Sequence, residues 1–181
     1  MREKLEIYKR ELLRWNEKIN LIGPEAREHL DEHIAEALQA AEILKPEGEV
    51  LDFGSGGGLP AIPMAIVSPA AHLHMVEADQ KKWAFLKHIV RTCRLQAVLH
   101  GERLEDAIRR FPPDLRFTLV TSRAVGRPEE WLPLIEPYLQ GGGRVALFQG
   151  SAEAPGIDHL RRISAEKLTR GWLVTFHVEQ R

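Results

Sequence analysis

The sequence predicts an α/β fold with a mostly parallel sheet and helices on both faces, and three observations predict it. From Glu49 onward, short apolar runs alternate with helix-length amphipathic stretches. The first of these runs, Val50–Phe53, ends in a cluster of glycines that opens a helix. Ahead of the alternation lie two amphipathic segments and no strand.

Leu5, Tyr8, Leu12, Trp15 and Ile19 recur at three- and four-residue steps among Lys, Arg and Glu, which is one face of an amphipathic helix. Gly23-Pro24-Glu25 starts a second helix, because proline is tolerated in a first turn and an acid suits its positive end. Leu30, Ile34, Ala37, Leu38 and Ala41 form its apolar stripe, and Pro46-Glu47-Gly48 ends it. Strands then read at Val50–Phe53, His72–Glu77, Ala97–His100, Phe117–Thr121 and Arg144–Phe148. Helices read near Pro60–Val67, Gln80–Arg94, Glu102–Arg110 and Pro128–Leu139, with a last helix near Ile157–Leu168 and a sixth strand at Trp172–Val178. Strand–helix alternation of this kind makes a parallel sheet with right-handed crossovers. A chain of 181 residues has room for one domain. Residues 1–46 are read as an N-terminal helical extension and 47–181 as the core.

Composition narrows the class. A hydrophobic fraction of 44% with 28% charged residues is that of an ordinary globule, and the apolar runs are strand-sized, so no membrane span is expected. The charged start Met1-Arg2-Glu3-Lys4 lacks the apolar stretch of a secretory signal. The single Cys93 has no intramolecular partner, and the eight histidines lack the spacing of a metal pair, so the expectation is a cytoplasmic protein with no metal. A net charge of −1 argues against bulk electrostatic capture of nucleic acid. An RNA substrate then needs a local basic patch or a folded target.

The most informative stretch is Val50-Leu51-Asp52-Phe53-Gly54-Ser55-Gly56-Gly57-Gly58-Leu59-Pro60. Glycines let a ligand lie against the backbone, and a strand-to-helix loop of this kind marks the carboxyl edge of a sheet, where open α/β folds bind ligands. A dinucleotide fingerprint requires glycine where Leu59 stands, and no Gly-Lys-Ser/Thr follows, so neither that reading nor a P-loop fits well. What is present is G-x-G-x-G with Asp52 two residues ahead, a setting that suits a cationic ligand. Glu77, at the end of the second strand, lies about 20 residues on, where an acid accepts from ribose hydroxyls. A plain glycine turn and a solvated acid are the unremarkable alternatives.

Several stretches together resemble one family, the bacterial small-subunit ribosomal RNA methyltransferase G, also called glucose-inhibited division protein B. Trp15-Asn16 through Asn20-Leu21 resembles its W-N-x-x-x-N-L segment, and His33–Leu38 its H-x-x-D-S-L with two substitutions. Gly54–Pro63 resembles G-S-G-A-G-F-P-G-I-P with both prolines, Lys81–Leu86 resembles K-R-x-x-F-L, and Thr121–Val125 matches T-S-R-A-V. The resemblance runs from about Leu12 to Gly150.

It implies a Rossmann-like class I methyltransferase sheet that uses S-adenosyl-L-methionine to methylate N7 of a guanine in 16S rRNA. By position, it implies cofactor contacts at Gly54, Ser55, Gly56, Gly58, Leu59, Glu77, Ala78, Asp79, Leu104, Glu105 and Arg123, although Leu104 also reads as a buried helix residue. Lys81, Lys82, Arg123 and His33 are the candidates for contact with RNA; Lys81 and Lys82 also read as a solvated helix start, and His33 as a structural residue. The expected partner is 16S rRNA or the small subunit, and the chain is expected to be a monomer. Guanine N7 bears a lone pair and no proton, so no general base is expected and no catalytic residue is assigned. Two departures stand out: Gln149 occupies the family's lysine position, and the family's last strand and Tyr-Pro-Arg tail have no counterpart. Compatible alternatives are a class I methyltransferase acting on a small molecule or protein, and a non-catalytic cofactor-binding homologue.

Overall fold

A computed structural model describes residues 1–123, 126–153 and 160–178. The chain opens with α1 (Arg2–Asn16), α2 (Pro24–Glu28) and α3 (Leu30–Leu44). The second predicted helix starts at Pro24 as expected but breaks at His29, whose φ of −106° and ψ of 26° leave the helical region. Asn16 closes the α1–α2 connection, its Oδ1 accepting from the Leu21 and Ile22 N–H groups at 2.8 and 3.0 Å.

The core then alternates β1 (Gly48–Phe53), α4 (Ala61–Val67), β2 (Ala71–Val76), α5 (Gln80–Thr92), β3 (Ala97–His100), α6 (Leu104–Ile108), β4 (Phe117–Arg123) and α7 (Pro128–Ile135). A 3₁₀ turn at Glu136–Tyr138 leads into β5 (Leu139–Gln149), followed by β6 (Leu160–Lys167) and β7 (Trp172–Val178). The seven strands form one sheet in the order β3-β2-β1-β4-β5-β7-β6. β3 through β5 run parallel, and β7 and β6 are antiparallel. The order reverses between β1 and β4, which is where open α/β sheets form their ligand crevice.

One expectation is corrected. Leu160–Lys167, predicted as part of a helix, is a strand, and residues 157–159 of that prediction lie outside the described residues. The sheet therefore has seven strands, one more than the six read from the sequence. The physical reason is tertiary: β7 pairs with β5 on one side, and its other row of N–H and C=O groups is satisfied by pairing with β6. The edges of the sheet are the four-residue β3 and the charge-bearing β6.

Alternating residues of the central strands feed two cores. Val50, Leu73, Met75, Leu119, Ala146 and Leu173 pack with Tyr8 and Leu12 of α1, with α3, and with Phe85, Leu86 and Ile89 of α5. Their neighbours Leu51, Val76, Val120, Val145, Leu147 and Val174 face the other way, onto Leu104, Ala107, Trp131, Leu132 and Ile135 of α6 and α7. At roughly 1.5–3 kcal/mol for each fully buried large apolar side chain, these two layers hold the strand ends rigid. Of the N-terminal helices, α1 and α3 belong to the first layer.

Candidate active site

β1 leads into the glycine loop, where Gly54, Gly56 and Gly58 hold φ of +74°, +53° and +85°. Of these, Gly56 faces open space: a Cβ built on it would meet nothing nearer than the Gly54 carbonyl oxygen at 3.8 Å. Gly58 has a different task, since its Cβ would come within 2.5 Å of Ile62 Cγ1, so glycine there lets α4 pack on the loop. A Cβ on Gly57 would lie 3.1 Å from Ile22 Cγ2 and Leu12 Cδ1. The loop thus rests on the N-terminal segment, and the buried Tyr8 hydroxyl donates to the Gly57 carbonyl at 2.8 Å.

Glu77, one residue past β2, ties the loop to the neighbouring strand. Its Oε2 accepts the Gly56 N–H and its Oε1 the Asp79 N–H, both at 2.8 Å. A carboxylate so held keeps lone pairs for further donors. Asp79 caps α5, accepting from the Lys81 and Lys82 N–H groups at 2.9 and 3.0 Å. The Lys82 backbone bond is the main cause that holds its carboxyl below the usual range. Ala78 lies exposed between the two acids.

Beneath the loop, Asp52 is 1% exposed and accepts from the Thr121 hydroxyl at 2.7 Å. Burial pushes its carboxyl up to about 7, with the Thr121 bond opposing. Ser55 turns inward as well, donating to the Asp52 carbonyl at 3.1 Å, which leaves backbone atoms as its means of meeting a ligand. Leu104 is likewise buried, at 3% exposure, so its reading as a core residue holds for the side chain. Its N–H sits in the first turn of α6, where backbone donors lack intrahelical acceptors, and Glu105 beside it is exposed.

Arg123, the last residue of β4, reaches α3 with its side chain. Its Nη2 contacts His33 Nδ1 and lies 3.6 Å from Glu36 Oε2. Nη1 is buried and has no hydrogen-bond partner among the described residues. Burial lowers the guanidinium pKa and the Glu36 carboxylate opposes the shift. Buried donors without partners are uncommon in native proteins, and the residue that carries this one lines a cavity of about 500 Å³ at the carboxyl ends of β4 and β5. Trp131, Phe148 and Trp172 give the cavity flat apolar walls; Glu25, Glu36 and Arg170 give it charge.

The sequence-predicted residues therefore fall into two groups. The glycine loop, Glu77, Ala78 and Asp79 come together, with Lys81 and Lys82 on the first turn of α5. Arg123 and His33 form the second group, at the cavity. His33, read from the sequence both as an RNA candidate and as a structural residue, has a side chain only 5% exposed, with Nδ1 3.1 Å from Glu36 Oε2 and in contact with Arg123 Nη2. Sequence reasoning passed over Glu25, Glu36, Arg170 and Trp172. The Glu36 carboxylate is the joint among them: Oε1 accepts from the Arg170 and Gly171 N–H groups, both at 2.7 Å. Gln149, which leaves the cavity without the expected lysine, lies beside this turn, since a Cβ on Gly171 would come within 2.8 Å of its carbonyl. Arg170 brings a cation to the same cavity. Only the Glu36 position carried a signal in the sequence, through the segment beginning at His33.

A family model described as rRNA small subunit methyltransferase G matches residues 1–180. The chain belongs to this family. Relatives named ribosomal RNA small subunit methyltransferase G include one from Magnetococcus marinus, 34% identical over 98% of this chain and 81% of the relative. Another, from Syntrophotalea carbinolica, is 32% identical over 82% of this chain and 69% of its own. Among solved structures, a protein described as an O-methyltransferase from Klebsiella pneumoniae superposes with a TM-score of 0.69 at 13% identity, covering 98% and 90% of the two chains. A mutant of MtNAS in complex with S-adenosylmethionine gives 0.65 at 12% identity, over 98% and 76%. The methyltransferase family and the Rossmann-like sheet expected from the sequence are both present. Among the described residues no helix is long and apolar enough to cross a membrane, and no group of side chains could hold a metal ion.

Proposed function

We propose that this chain, a cytoplasmic monomer, transfers a methyl group from S-adenosyl-L-methionine to N7 of a guanine in 16S rRNA. The observation that carries the reading is the Gly56 cradle, open on its ligand side and bonded to Glu77 at the carboxyl edge of the sheet. A Cβ at Gly56 would fill the very space a ligand needs, so the residues present fit the cofactor. When bound, the cofactor supplies an electrophilic methyl group on a sulfonium.

The chain's own residues bind and orient. Glu77 would accept from ribose hydroxyls, the backbone of Gly54 to Leu59 with Ala78 and Asp79 would hold the rest of the nucleoside, and the first turn of α6 at Leu104 and Glu105 would offer N–H groups to the adenine. Asp52 sets acidic character below the loop. Arg123, whose side chain is about a quarter exposed at the cavity wall, offers its guanidinium to a phosphate of the acceptor, with a planar fork that lysine lacks. Because N7 carries no proton, positioning suffices; orientation of two reactants contributes on the order of 7–11 kcal/mol in the best cases. The target base must stand out of its stack to enter the cavity, and Lys81 and Lys82 are placed to meet the RNA backbone as point charges.

The test is transfer of labelled methyl from S-adenosyl-L-methionine to small subunits that carry unmethylated rRNA. Label at a guanine N7 of 16S rRNA is the expected result. Label in proteins or small molecules of an extract, with none in rRNA, overturns the reading in favour of another acceptor.

A further inference from the structure

Guanine offers one acceptor and two donors in a row along its Watson–Crick edge: O6, N1–H and the 2-amino group. A protein that selects guanine needs the complementary row, a donor beside two acceptors. In the cavity beyond Arg123 that row is supplied by Arg170 and Glu25, whose side chains are ion-paired through Arg170 Nη2 and Glu25 Oε1.

Glu25 and Glu36 are the acids that line this cavity among its described residues, and they are not equivalent. Glu36 is 4% exposed in its side chain, with Oε1 accepting two backbone N–H groups and Oε2 meeting His33. Its lone pairs are consumed by holding the β6–β7 turn against α3. The Glu25 side chain is 64% exposed, and its Oε2 lies 3.7 Å from His33 Nε2, beyond hydrogen-bond distance. Arg170 is pinned in place from the other side by Glu32, 2.9 Å from Nη1. The half-buried Trp172 ring lines the same cavity, with the Lys167 ammonium 5.3 Å from its centroid. A flat aromatic wall is what an unstacked base needs.

We propose that Glu25 reads the Watson–Crick edge of the guanine that is methylated, accepting from its N1–H and 2-amino group, while Arg170 donates to O6. The inference rests on the RNA methyltransferase reading above and names how that site chooses its base. Adenine in the same pose would set its 6-amino group against Arg170 and its N1 lone pair against the carboxylate, like against like, which adds rejection to selection. Holding the Watson–Crick edge in this way leaves N7, on the adjacent Hoogsteen edge, unengaged by Glu25.

The test begins by locating the modified guanine in small subunits by mass spectrometry. Subunits are then reconstituted from ligated rRNA carrying inosine at that position, which removes the 2-amino group and keeps N7. The wild-type enzyme is expected to lose about tenfold or more in kcat/KM on inosine, the scale of one lost hydrogen bond to a charged group. Glu25→Ala and Glu25→Gln are expected to fall by at least a similar factor on guanine and to treat the two subunits nearly alike. Thermal unfolding should hardly change, since an exposed ion pair contributes little. If the wild type ignores the inosine exchange, or if the Glu25 variants slow but keep full discrimination, Glu25 only steadies Arg170 and the proposal is wrong. Absence of any methylated guanine in rRNA would instead remove the reading on which it rests, and the proposal with it.

Discussion

The Tyr8 hydroxyl and the Gly57 carbonyl meet at 2.8 Å across 49 residues of sequence, joining the first helix to the underside of the glycine loop. Tyr8 is fully buried, and burial raises its hydroxyl pKa well above the ordinary value, so it stays a donor at any working pH. Tyr8→Phe leaves a buried carbonyl without this partner, a loss of about 1–3 kcal/mol. Chemical denaturation should show that loss, and calorimetry a weaker affinity for S-adenosyl-L-methionine. Unchanged values in both would mean that the loop is held by packing alone.

Gly56→Val is expected to abolish cofactor binding in a protein that still folds. The new Cβ would enter open space, and φ of +53° is disfavoured for a β-branched residue. Calorimetry on a variant with an intact circular dichroism spectrum decides the matter. Retained affinity would place the cofactor elsewhere.

Glu77 has two roles, which one substitution removes together and a cofactor analogue separates. Glu77→Ala removes a charged acceptor from the ribose and also releases the Gly56 and Asp79 N–H groups. Cofactor affinity should drop by roughly ten- to a hundredfold, the equivalent of about 1.5–3 kcal/mol. The 2′-deoxy analogue of the cofactor should bind the wild type more weakly than the parent, yet bind the Ala variant as well as the parent does.

Arg123→Lys should lower methyl transfer to rRNA by about tenfold or more, with a smaller loss in cofactor affinity, because an ammonium lacks the planar fork that meets His33 and Glu36 while facing an acceptor group. Single-turnover rates on saturated enzyme give the comparison. A wild-type rate would reduce Arg123 to a structural brace.

Asp52 predicts a pH dependence with a definite sign. Its carboxyl is raised to about 7 in the folded protein against about 3.9 unfolded, so the folded state binds the proton more tightly. Below about pH 4 both states are protonated and the group costs nothing. Between pH 4 and 7 the unfolded state ionises first, and stability falls by an amount on the order of 4 kcal/mol in all. Asp52→Asn should therefore gain stability relative to wild type as pH rises from 5 to 8, measured by urea unfolding at each pH. Parallel curves would show that Asp52 is ionised and solvated in the native state.

Most of the fold was legible because the parallel strands are apolar runs between turns, and β3 and β7 fall where the sequence places them. The exception, Leu160–Lys167, is amphiphilic in either conformation, and the open edge of β7 decides the outcome, which no local pattern encodes. At the site, the glycines and Glu77 were readable because each performs a task that depends on its own backbone or charge. Arg170, Glu25 and Trp172 come from distant segments, the first two joined by an ion pair across 145 residues of sequence, and carry no local mark of their partnership. His33 carried two readings in the sequence, RNA contact and structural residue, because its burial between Glu36 and Arg123 is a property of the assembled layers.

The two ends of the sheet bear on how copies of this protein behave in a crowd. β3 presents only four residues, with Val98 half exposed, and β6 carries exposed Arg161, Arg162, Glu166 and Lys167 along its length. A short margin on one side and a charged one on the other give a second copy little backbone to zip onto. Lateral growth into fibrils is blocked while the native fold lasts, so aggregation on heating should follow the unfolding transition and not precede it.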